Sequence, residues 1–145
     1  MGDYAIRMQF DIAADPGDVE QALTTREGIA SWWSSKVEGS PEADGRALEV
    51  SFPDVPRPFD FSVARSGGGV EWAVGSQPEW WQGTTVAWVI DANPDGPGTR
   101  LRFRHRDFDS ANPIIDIVTP AWAQIIGRLK AYVETGEPQP FFDLG

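Results

Sequence analysis

Only one segment of this chain is long and amphipathic enough to cover a sheet, and that limits the fold more than any other feature. Trp122, Ile125, Ile126, Leu129, Tyr132 and Val133 recur at i, i+3, i+4 and i+7, the apolar stripe of a long helix. Thr119 is the expected cap, with Pro120 in the first turn and Gly136 and Pro138 ending the helix. Nearly everything before it reads with period two. Tyr4, Ile6, Met8, Phe10 and Ile12 alternate with Arg7, Gln9 and Asp11, which is a strand with one buried face. A helix start follows, with Asp15 as cap and Pro16 in the first turn, and a second short helix is expected from about Arg26 to Trp33.

From Gly45 to Arg106 the pattern is strand after strand. Leu48, Val50 and Phe52 alternate; so do Phe59, Phe61 and Val63, then Val70, Trp72 and Val74, then Val86, Trp88 and Ile90. The turns between them are rich in Gly, Pro and Asn, at 66–69 and 93–98, so the strands form an antiparallel meander. Leu101, Phe103 and His105 alternate with Arg100, Arg102, Arg104 and Arg106 in the clearest half-buried strand. A one-faced sheet needs a cover, and the C-terminal helix supplies it. The expected class is α+β: a curved antiparallel sheet wrapped around a long C-terminal helix, with two short helices after the first strand.

At 145 residues the chain reads as a single domain, 1–145. It has no cysteine, which excludes disulfides, thiolate metal sites and a cysteine nucleophile and fits a reducing, cytoplasmic location. Twelve basic against 22 acidic residues give a net charge of −10, so neither nucleic acid nor an anionic membrane is an expected partner. The longest uninterrupted apolar run, Val86 to Ile90, spans no bilayer, and the first residues carry no secretory signal.

Four stretches resemble one family. They are Ala22–Thr25 continuing through Gly28–Trp33; Glu79–Trp88; Gly98–His105 followed by Phe108; and Trp122, Leu129, Lys130 and Tyr132 before Gly136. Together they resemble the activator-of-Hsp90-ATPase homologues within the START-like (SRPBCC) superfamily. The resemblance implies a helix-grip fold with an internal cavity and does not imply co-chaperone activity. Arg106-Asp107 departs from it, because small residues are usual there.

No metal, cofactor or catalytic residue is assigned. Asp91–Gly96 matches the start of a calcium loop, but Arg102 stands where a bidentate Glu belongs, and the segment joins two strands. No serine sits in a nucleophile elbow, and Gly67–Gly69 precedes a strand, not a helix. His105 is the only histidine and should point inward, either as a hydrogen-bonded core residue or as a polar fixture of a ligand cavity. The arginines of its strand should pair with carboxylates on neighbouring strands.

The strongest signal is aromatic, with seven Trp and eight Phe. Phe61, Trp72, Trp88, Phe103 and His105 should face Trp122 and Ile126 of the helix, with Trp32 and Trp33 near a cavity mouth. These residues either fill the core or line a cavity for a small hydrophobic molecule. The leading expectation is ligand binding. A chaperone-activator-like interaction module, forming a weak homodimer, is the alternative. A cyclase or hydrolase working through His105 is the third reading. The candidate contact surfaces are the Phe141-Phe142 tail and whichever of Trp80 and Trp81, adjacent on a strand and so on opposite faces, points away from the sheet.

Overall fold

The computed structural model describes residues 2–39 and 47–144. In chain order the elements are β1 (Tyr4–Ile12), α1 (Pro16–Thr24), α2 (Arg26–Ala30), β2 (Val37–Gly39), β3 (Ala47–Val50), β4 (Phe59–Ser66), β5 (Gly69–Val74), β6 (Thr85–Ala92), β7 (Thr99–Phe108) and α3 (Ile114–Thr135). The strands form one curved antiparallel sheet in the order β1-β7-β6-β5-β4-β3-β2, with α3 against its inner face. Gly45, where the sequence reading starts the strands, lies outside the described residues. Two-residue alternation does the work expected of it: Leu101, Phe103 and His105 are buried while Arg100, Arg102 and Arg104 are half-buried on the outer face.

The outer face is a ladder of ion pairs. Arg100 pairs with Asp11 and Asp95, both at 2.9 Å, Arg102 with Asp91 at 3.3 Å, and Arg106 with Glu71 at 3.3 Å. The Arg100 bond holds the Asp11 carboxyl below the usual carboxylate range. Asp91 and Asp95 of the calcium-like turn are therefore engaged with arginines. Arg104 is the exception: burial, with Arg7 opposite and Arg102 beside it, lowers its basicity.

Four local expectations are corrected. The long helix starts at Ile114, so Thr119 is no cap and Pro120 lies inside it. Pro120 and Asp116 are both exposed, so the Asp116 carbonyl that loses its intrahelical donor can take one from water. Asn112 Oδ1 accepts the Ile114 N–H instead of a threonine cap doing so. The Asp15 side chain caps nothing, its backbone carbonyl accepting the Asp18 and Val19 N–H groups. The second helix stops at Ala30, leaving Trp32 and Trp33 in the turn that follows. Trp80 and Trp81 lie in a 3-10 turn, Glu79–Trp81, and not on a strand.

One irregularity repositions a buried residue. Between β1 and β7, Tyr4 faces Phe108 but Ile6 faces His105, so β7 carries one extra residue. Asp107 absorbs it at φ 75°, a left-handed conformation that aspartate tolerates. The bulge lets His105 and Phe108, three positions apart, both point inward, with rings 4.5 Å apart. It falls where the sequence departs from the family resemblance.

The chain end is also tied down. Gly136 takes the left-handed C-cap at φ 78°, and its N–H bonds the Tyr132 carbonyl. Beyond it the tail runs alongside residues 31–35: the N–H groups of Gln139, Phe141 and Phe142 donate to the carbonyls of Ser31, Trp32 and Trp33. Arg128 holds the Gln139 carbonyl and lies over the Phe141 ring.

Candidate functional site

Six of the seven tryptophans are buried, and they pack on one another. The Trp32, Trp33 and Trp72 rings are nearly parallel, at interplanar angles of 11°, 9° and 17° and centroid distances near 6 Å. Trp88 sets its edge against Trp32, Trp72, Phe103 and Trp122. Two indole N–H groups also close α1: Trp32 donates to the Ala22 carbonyl at 2.9 Å and Trp72 to that of Leu23 at 3.1 Å. These are the carbonyls a helix C-terminus leaves without intrahelical donors. The centre of the sheet is thus filled by rings.

His105 is fixed inside this cluster by both nitrogens. The Trp122 indole donates to Nδ1 at 3.1 Å, and Nε2 lies 2.9 Å from Thr84 Oγ1. The Thr84 hydroxyl gives its proton to the Trp81 carbonyl at 2.6 Å, so it can only accept from Nε2. The relay defines the neutral tautomer with hydrogen on Nε2. Burial pushes the imidazole down to about 3, and no acceptor waits for a second proton.

Open space lies at one end of this cluster. An apolar groove of about 250 Å³ runs between the N-terminal half of α3 and the segments facing it. Ile114, Ile117, Val118, Ala121, Trp122 and Ile125 line it from α3. Phe52, Pro53 and Val55 close it from the loop after β3, Phe59 from the start of β4, and Trp80 and Trp81 from the 3-10 turn. Trp33 and Phe142 complete it. Its lining includes the exposed side chains Ile117 at 67%, Trp80 at 47% and Val55 at 40%. Trp81 is buried, with its Nε1–H lacking a partner, and stacks on Trp122 at 5.9 Å.

Of the residues singled out in the sequence, the cavity candidates Trp33 and Trp122 and the contact-surface candidates Trp80, Trp81 and Phe142 reach this groove. Trp32, Phe61, Trp72, Trp88, Phe103, His105 and Ile126 are buried away from it. The lining residues that sequence reasoning did not assign to a site include Phe52, Val55, Ile114, Ile117, Val118 and Ala121. Ile117 was out of view because the helix was expected to begin after it. Two broader concavities, of about 460 and 590 Å³, are lined by mixed polar and apolar residues, so they offer an apolar molecule less gain on leaving water.

The same architecture recurs among solved structures. The Aha1 dimer from Colwellia psychrerythraea superposes with a TM-score of 0.79 at 26% identity, covering 92% of this chain and 98% of that one. The fold is that of an Aha1 homologue. DynU16, from the dynemicin biosynthetic locus, matches 97% of this Aha1-like chain and 51% of its own, at 22% identity and a TM-score of 0.74. KanY matches 92% and 99% respectively, at 14% identity and 0.71. No family model and no curated protein sequence matches the chain. Among the described residues no helix is long and apolar enough to cross a membrane.

Proposed function

We propose that this Aha1-like domain binds a small apolar or aromatic molecule in the groove between the N-terminal half of α3 and the Trp80-Trp81 turn. The observation that carries the reading is the lining: all fourteen residues are apolar, and part of that surface is left wet. Filling it removes apolar surface from water, at roughly 25 cal/mol per Å². His105 supports binding over catalysis, since both its nitrogens are engaged and no general acid or base is free there. The lack of cysteine supports a cytoplasmic setting.

The test is a panel of neutral two- and three-ring aromatics, followed by thermal shift and by backbone amide NMR. Binding should raise the melting temperature and move the amides of Val118, Ala121 and Ile125. Ala121→Phe should fill the groove and abolish both effects. A panel that moves no groove amide, or an Ala121→Phe variant that binds as well as the wild type, overturns the reading.

A second reading is favoured by the rim. Trp80, Ile117 and Val55 together form the kind of exposed apolar patch that often marks an interface, and the similar Colwellia protein was solved as a dimer. Self-association through this face would occlude the groove. Light scattering across a concentration series, with Ile117→Lys as the disrupting variant, separates the two.

A further inference from the structure

β1 is a long free edge of the sheet. Its nine residues, Tyr4–Ile12, pair with β7 on one side and with no strand on the other. The hairpin beside it fixes where its unpaired backbone groups point. The Asn93 N–H donates to the Gly98 carbonyl, so even-numbered residues of β7 turn their backbone groups toward β6 and odd-numbered ones toward β1. Ile6, Met8, Phe10 and Ile12 stand opposite odd-numbered residues and therefore bond β7. The N–H and C=O groups of Arg7, Gln9 and Asp11 point out of the sheet and meet no backbone partner among the described residues. The next N–H on that edge, of Ala13, donates to Glu134 Oε2 at 2.8 Å.

An edge of this length is a template for another strand unless something blunts it. β1 holds no proline, its register shift lies before Ile6, and no charged side chain alternates onto its inner face. Met8 and Phe10 point inward yet stay half-buried, an apolar flank along the edge. On the outer face Arg7 stands directly opposite Arg104 and makes no ion pair among the described residues. Arg104 loses basicity first to burial and then to Arg7 and Arg102. Like charges directly opposite one another destabilise a ladder, and the other arginines of β7 each have a carboxylate.

We infer that β1 docks on β1 of a second copy, the two strands running antiparallel about a two-fold axis at Gln9. In this register the outward backbone groups of Gln9 meet their own counterparts, and those of Arg7 meet those of Asp11. The side chains match as well. Arg7 faces Asp11 of the second copy on the outer face, and Met8 faces Phe10 of the second copy on the inner one. Asp11 already accepts from Arg100, but its side chain is 49% exposed and a carboxylate has lone pairs to spare. Centring the axis on Arg7 or Asp11 would oppose like charges, and centring it on Met8 or Phe10 leaves Arg7 without an acid opposite. The contact is isologous, so it closes at two copies. A ladder over residues 6–12 is small beside the roughly 1,200–2,000 Å² of a standard interface, so the dimer is weak. No β1 residue lines the groove, so such a dimer leaves the groove open and owes nothing to the ligand reading.

The test is analytical ultracentrifugation of the full chain up to millimolar concentration, with two variants chosen to keep the fold. Arg7→Glu sets an acid opposite Arg104 within the chain but against Asp11 of the second copy. Symmetry counts each exposed pair twice, so this change should weaken the dimer about 2- to 30-fold. Gln9→Pro removes an N–H that faces solvent, which an edge strand tolerates, and should leave no dimer. Thermal melts check that both variants fold, and Arg7→Glu decides the matter if Gln9→Pro does not. Mixing Arg7→Glu with Asp11→Lys restores opposite charges between unlike copies, so the mixture should associate more tightly than either variant alone. NMR on mixed ¹³C-labelled and unlabelled chains should show a close Hα contact between Met8 and Phe10 of the other copy. A strict monomer at millimolar concentration overturns the proposal, as does a dimer that Arg7→Glu leaves unweakened or Hα contacts joining two Met8 or two Phe10. A dimer that Gln9→Pro leaves intact and Ile117→Lys abolishes belongs to the groove rim and overturns it too.

Discussion

Replacing His105 by leucine tests whether the buried relay is structural, and the expected cost can be worked from its bonds. The change leaves the Trp122 indole N–H without an acceptor in a site where both residues are no more than 1% exposed. An orphaned buried donor costs about 1–3 kcal/mol, and the change of shape adds up to about 1.5. At pH 8 we expect His105→Leu to lose about 2–4 kcal/mol. Trp122→Phe in the same background should cost less than in the wild type, because both partners of the bond are then apolar. The pH dependence is more diagnostic. The folded imidazole sits at about 3, whereas the unfolded one titrates near 6.5, so between those values the unfolded chain binds the extra proton. Stability from this group is complete above pH 6.5 and falls away as pH drops toward 3. At pH 5 the unfolded state lies 1.5 units below its own value, which takes about 2 kcal/mol from the wild type at about 1.4 kcal/mol per unit. That figure does not depend on the folded value, since the folded imidazole is still neutral there. His105→Leu lacks the group, so its deficit should shrink by about 2 kcal/mol between pH 8 and pH 5. Urea unfolding followed by tryptophan fluorescence measures this at both pH values. Because the chain has one histidine, imidazole ¹⁵N shifts report its tautomer without ambiguity. A deficit that stays constant with pH, an imidazole titrating near 6.5, or hydrogen on Nδ1 would each refute the argument.

Three further outcomes follow from the geometry. Thr84→Val should cost about 1–3 kcal/mol in urea unfolding, because it strips the acceptor from His105 Nε2 and the donor from the Trp81 carbonyl; Thr84→Ser should recover most of it. Gly98→Ala should lose about 1–3 kcal/mol or more by thermal unfolding, since its φ of 97° and a Cβ 2.3 Å from the Ile12 carbonyl oxygen suit only glycine. Truncation after Pro138 should lower the melting temperature and expose the Ser35 amide to hydrogen exchange, because it removes the Phe142 carbonyl that accepts from it and the tail N–H groups that bond the carbonyls of Ser31, Trp32 and Trp33.

Legibility in the sequence followed periodicity. β1 and β4 to β7 stand out because apolar residues alternate over five or more positions and their turns carry Gly, Pro or Asn. β2 is three residues long, Val-Glu-Gly, and has no period to read. The start of α3 was masked because Pro120 carries the signal of a first turn, although a solvent-facing proline can also sit further in. His105 could be placed on the inner face from parity alone. Trp122 could be set opposite it from the helix stripe, but the Thr84 partner could not, because it is 21 residues away and lies on a loop. The groove was harder still. It is assembled from several segments, one of which, 53–58, reads only as a proline-broken loop, and its exposed rim departs from the inside-outside rule.

The pairing of β1 with β7 sets the order of events during synthesis. Tyr4 meets Phe108 and Ile12 meets Thr99, so the first strand made must wait for roughly a hundred further residues before its partner exists. The meander from β3 to β7 can zip as it emerges, but its inner face, with Phe61, Trp72, Trp88 and Phe103, stays uncovered until α3 follows. A nascent chain of this design therefore carries several bare tryptophans through most of translation. Long-range closure of this kind slows folding and exposes apolar surface to other chains. Yield in a cell should accordingly respond to holdase chaperones acting on the unfinished chain more than to any change in the stability of the finished one.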